Sequence, residues 1–145
     1  MSESVSNAVQ NVPSGQDVLF TEDLIECCRG NILHRQSSGI FTLRGNVNNP
    51  NGYFARYWVE FGANIAIPTD GGTVAPISVA LAINGEAVPT SSAIVTPAAV
   101  GDYWNVNVFA YVTVPRGCCQ NISVKNISTQ AINVQNANIV INRTA

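Results

Sequence analysis

The stretch YFARYWVEFGANIAI, Tyr53 to Ile67, decides how this chain is read. Every odd position in it (Tyr53, Ala55, Tyr57, Val59, Phe61, Ala63, Ile65, Ile67) is apolar. Successive side chains of a β-strand point to opposite faces, so a period of two lays one face on a core and predicts one or two strands of a sandwich. The even positions carry Phe54, Arg56, Trp58, Glu60, Gly62, Asn64 and Ala66. Aromatic side chains on a water-facing surface mark a face that associates. Phe54, Arg56 and Trp58 are therefore the predicted oligomer interface.

Downstream of this stretch, Pro68 and Thr69 to Gly72 break the alternation. Ile77 to Ile83 then forms a run apolar on both faces that closes at Asn84-Gly85, a hairpin turn signal. Ala93 to Val95 follows, then Trp104 to Val114 with Trp104, Val106, Val108, Ala110, Val112 and Val114 on one face. Ile122 to Ile127 and Ile132 to Ile141 complete the series. Upstream lie Val18 to Phe20, Ile32 to His34 and Ile40 to Leu43; the one helical candidate, Phe20 to Cys28 with its acidic opening, is too short to matter. About eight to ten short strands at this spacing predict an all-β sandwich.

Residues 1–16 are polar, with apolar points only at Val5, Val9 and Val12 before the Pro13-Ser14-Gly15 turn. Three valines bury too little to offset the ordering of the segment. It is expected to be an extended N-terminal arm, ordered by docking on a neighbouring virion or surface-layer protein, with residues 17–145 as the sandwich domain.

Only 11% of the 145 residues are charged, against roughly 25% in ordinary domains, while 46% are hydrophobic. A small domain so poor in charge is expected to bury surface in an oligomer. The net charge of −2, a single lysine at Lys125 and scattered arginines argue against nucleic acid, which needs clustered cations. No run of about 20 apolar residues is present, so no membrane span is expected, and the opening MSESVSNAVQ has no signal-peptide character. Cytosolic synthesis is the corresponding expectation, with a virion surface, or a bacterial spore or cell surface, as the final location.

Four cysteines form two adjacent pairs, Cys27-Cys28 and Cys118-Cys119. Neighbouring residues of a strand point apart, which disfavours a zinc site. Buried thiols at strand ends and disulfides involving Cys27, Cys28, Cys118 and Cys119 both stay open. His34 is the one histidine, and no Gly-x-Ser-x-Gly elbow accompanies it, so neither a catalytic residue nor a cofactor is expected. Asn105 and Asn107 on the outward face of their strand, with Trp58, are candidate contacts for a glycan ligand.

Three segments carry a family resemblance: SGIFTLRG (38–45), RYWVEFGANIAIP (56–68) and ISVALAINGEAVPTS (77–91). Their order, a glycine-led strand, a long strand and a strand ending in Asn-Gly, resembles tumour-necrosis-factor-like and complement-like jelly-roll heads, including those of bacterial collagen-like spore-surface proteins. The tail from Tyr111 to Ile141 is similar to small stand-alone proteins of Firmicutes and their prophages. No Gly-x-y repeat is present, so the resemblance carries a head without a collagen stalk. It implies a jelly-roll β-sandwich packed as a trimer about a three-fold axis. Together these readings predict a non-enzymatic structural protein, a self-associating subunit on a phage virion as capsid decoration or fibre knob. A bacterial spore-surface or appendage subunit and a carbohydrate-binding module are the alternatives.

Overall fold

The computed structural model describes residues 1–25, 30–46, 54–117 and 119–145. Eleven strands are formed among them: β1 (Ser2–Ser6), β2 (Gln10–Val12), β3 (Glu22–Ile25), β4 (Ile32–His34), β5 (Phe41–Leu43), β6 (Phe54–Ala66), β7 (Ile77–Ile83), β8 (Glu86–Val95), β9 (Trp104–Pro115), β10 (Gln120–Asn126) and β11 (Ile132–Arg143). They build two antiparallel sheets. The first runs β3-β1-β11-β6-β9, with β2 also on β11; the second runs β4-β5-β10-β7-β8.

The deciding alternation forms one strand, β6, with Ala55, Tyr57, Val59, Phe61, Ala63 and Ile65 buried on its inner face. Val106, Val108, Val112 and Val114 of β9 and Ile139 and Ile141 of β11 extend that face on either side. Phe61 meets Phe20 edge-on at 6.2 Å, and Phe20 meets Phe41 at 5.5 Å, so aromatic contacts fasten the first sheet to the second. Tyr57 is fully buried, and its hydroxyl donates to the Arg44 carbonyl at 2.6 Å, which satisfies the polar end of a core aromatic. The hairpin at Asn84-Gly85 has both residues at positive φ, 52° and 85°, as a two-residue turn matched to strand twist requires.

Strand β11 changes the parity of its buried positions, from Ile132 and Val134 to Ala137, Ile139 and Ile141. A bulge between Gln135 and Asn138, with Asn136 at φ 55°, inserts the extra residue that keeps both halves on the core.

The N-terminal segment departs from expectation. Ser2–Ser6 pairs with β11 on one side and β3 on the other, and Gln10–Val12 continues along the same side of β11. Residues 2–12 are thus part of this chain's own sheet, and the sandwich begins there instead of at residue 17. The valine count missed two contributions. Ladder hydrogen bonds hold the backbone on both sides, and the serines at positions 2, 4 and 6 are small enough to be buried. Two further points differ. Val18 to Phe20 forms no strand, only an isolated bridge of Phe20 with Ser38, and Glu22–Ile25, within the one helical candidate, is a strand. Trp104, at the start of β9, is 50% exposed.

Candidate functional site

The outward face of β6 and β9 gathers most of the large exposed aromatics. Cross-strand register sets Trp58 opposite Tyr111, Glu60 opposite Phe109 and Phe54 opposite Pro115. Trp58 is half-buried between Phe109 at 5.3 Å and Tyr111 at 4.8 Å, centroid to centroid. The two flanking rings are themselves 60% and 62% exposed. Phe54 is 42% exposed, and the Arg56 guanidinium lies 4.9 Å over its ring, a cation–π arrangement. The predicted interface residues Phe54, Arg56 and Trp58 therefore share one face, joined by Phe109 and Tyr111. The latter two lie outside the sequence expectation, which rests on the even, inward positions of β9. The signal lay in the odd ones.

Farther along the same face the surface turns polar. The Asn107 amide donates to Asn105 Oδ1 at 2.9 Å, and the Asn105 amide donates to Asn64 Oδ1 at 3.2 Å. Gly62 leaves room for this ladder, since a Cβ there would stand 2.8 Å from Asn107 Oδ1. Trp58 and Gly62, which pairs with Asn107, are four residues apart, about 13 Å along the strand. Trp58 and the asparagines occupy opposite halves of one face and do not converge on a single concave site.

His34 sits where the two sheets meet. Its Nδ1 is 2.6 Å from Asp23 Oδ1 and its Nε2 is 2.9 Å from the Ser38 carbonyl, while the Ser4 hydroxyl donates to the same Asp23 oxygen at 2.6 Å. The ring stacks on Phe41 at 4.2 Å. Side-chain exposure is 4% for His34 and 8% for Asp23, although backbone exposure makes each residue half-buried overall. In a hydrolase relay the serine hydroxyl faces the imidazole. Here the serine bonds the carboxylate and the second ring nitrogen faces a carbonyl, so the trio ties β1 and β3 to β4.

Cys27, Cys28 and Cys118 lie outside the described residues, and Cys119 is exposed just before β10. Among the described residues no group of three or more His, Cys, Asp or Glu side chains is placed to hold a metal ion. Among them, too, no helix is long and apolar enough to cross a membrane. Asn126 of the Asn126-Ile127-Ser128 triplet is fully buried, its amide donating to the carbonyls of Val12 and Gln130 and its oxygen accepting from the Ser128 amide.

No protein-family model matches the chain, and no curated protein matches it in sequence. Solved structures do. The globular domain of zebrafish complement 1qA superimposes with a TM-score of 0.55 at 12% identity, covering 96% of this chain and 94% of that one. The sugar-binding EclA C-terminal domain gives 0.42 at 13% identity over 93% and 79%, and rabbit GITRL gives 0.43 at 14% identity over 79% and 80%. At these identities the likeness concerns the fold alone. With two antiparallel sheets in this order and a superposition over nearly its full length, the chain has the jelly-roll fold of the complement globular domain.

Proposed function

We propose that this protein is a non-enzymatic structural subunit that self-associates through the outer face of β6 and β9. The observation that carries the proposal is the cluster of Trp58, Phe109 and Tyr111, extended by Phe54 and Arg56 on the same face. Exposed aromatic groups of this kind, on a chain with only 11% charged residues, favour burial against another protein surface. The complement-like fold supports a three-fold assembly, the arrangement implied by the sequence resemblance. Display on a phage virion, as capsid decoration or fibre knob, is the setting we assign to it, with a bacterial spore or cell surface as the alternative within the same class.

Light scattering of the purified protein tests self-association, and immunogold labelling of virions from the native source tests display. An assembly larger than one 15.4 kDa chain and gold on particles are the expected results. A monomer, or label confined to spores or cell envelopes, would redirect the reading. Glycan-array binding that is lost in Trp58→Ala at unchanged assembly size would favour the carbohydrate-binding reading.

A further inference from the structure

On one side of the sandwich β9, the last strand of the first sheet, lies beside β8, the last strand of the second, without pairing to it. An apolar cleft of about 190 Å³ lies there, walled by Val59, Leu81, Ile83, Val88, Val112 and Ile122. Its origin is visible in the ladder. Ala82 pairs with Ala87 while Ala80 pairs with Ser92, so residues 88–91 of β8 leave the register opposite Leu81. Pro89, which has no N–H to give a ladder, sits within this bulge, and the Ser92 hydroxyl donates to its carbonyl at 2.7 Å. The displaced segment is therefore held in place, and it brings Thr90 and Ser91 to the wall of the cleft.

Protein interiors hold few voids larger than a water molecule. An apolar cavity of about 150 Å³ stays dry and accepts benzene, and this one is somewhat larger. It is smaller than the roughly 300–1,000 Å³ of sites for drug-sized ligands. No charged side chain lines it, so a charged ligand would lose its hydration without a partner. We propose that the cleft binds a small neutral molecule, a single ring or an equally compact chain bearing one hydroxyl or carbonyl, with its apolar body against Leu81 and Ile122 and its polar end at Ser91 or Thr90. This site goes beyond self-association and does not depend on it, although Tyr111 borders both surfaces.

Phenol, toluene and benzoate are suitable probes. Titrated into protein labelled at the Ile, Leu and Val methyl groups and followed by NMR, phenol and toluene should give saturable shifts at Leu81, Val88, Val112 and Ile122, and benzoate none. Ala110→Leu, which narrows the cleft, should weaken phenol at least tenfold. Should that variant fail to fold, Ser91→Ala supplies an independent reading: phenol weakened several-fold, toluene unchanged. Absence of saturable shifts, shifts confined to residues beside Trp58 and Phe109, or benzoate binding as well as phenol would each overturn the proposal.

Discussion

Replacing Asn126 by Ala is the most informative perturbation of the fold itself. Its side chain is fully buried and makes three hydrogen bonds: to the Val12 carbonyl at 2.9 Å, to the Gln130 carbonyl at 3.0 Å and from the Ser128 amide at 2.9 Å. Alanine leaves these backbone groups without the amide, two in buried and one in partly buried surroundings. An unsatisfied buried polar group costs about 1–3 kcal/mol, so the sum reaches roughly 3–5 kcal/mol once partial access of water to the third is allowed for. The Asn11 and Asn133 side chains, bonded to each other at an exposed site, provide the control. Asn133→Ala should stay within about 0.5 kcal/mol, as surface substitutions do. Urea unfolding at one fixed protomer concentration measures both, the midpoint shifting at constant slope. A loss below about 1 kcal/mol for Asn126→Ala would refute the assignment of this residue as the tie between β2 and the end of β10.

Other expectations follow from the same contacts. Deleting residues 1–12 removes a strand that is paired on both sides and should abolish cooperative unfolding; an unchanged thermal transition would show that the segment is dispensable. Asp23→Ala strips the buried His34 Nδ1 and the Ser4 hydroxyl of their shared acceptor and should cost about 2–4 kcal/mol, read from denaturant midpoints. Serine at Cys27, Cys28, Cys118 and Cys119 together should leave β-sheet circular dichroism intact in reducing buffer, because a core of this size does not depend on staples. Loss of that signal would point to structural bridges.

Much of the sandwich is legible in the sequence, because alternation survives wherever a strand has one buried face. Ile32 to His34 and Ile77 to Ile83 form strands at the bounds read from the sequence; β6 ends one residue before the alternation does, Tyr53 lying outside the described residues, and β9 runs one residue beyond Val114. The failures have specific causes. Serines at positions 2, 4 and 6 carry no hydrophobic signal, yet the ladder beside β11 buries them. A bulge such as the one at Asn136 changes parity without any residue that announces it, and the displaced segment around Pro89 depends on pairing that no local pattern specifies. The aromatic face was half legible. Phe54, Arg56 and Trp58 stand out on a strand whose other face is plainly apolar, whereas Phe109 and Tyr111 become their neighbours only through the register of β6 with β9.

Sedimentation equilibrium of the wild-type protein beside a Trp58→Asp, Tyr111→Asp double variant tests the central claim most directly. Charges placed within the aromatic cluster would be buried unpaired in an assembled face, while in a lone chain they would remain in water. The account predicts a wild-type mass of three chains of 15.4 kDa and a folded, monomeric variant. A monomeric wild type, or a variant that assembles as the wild type does, would contradict it.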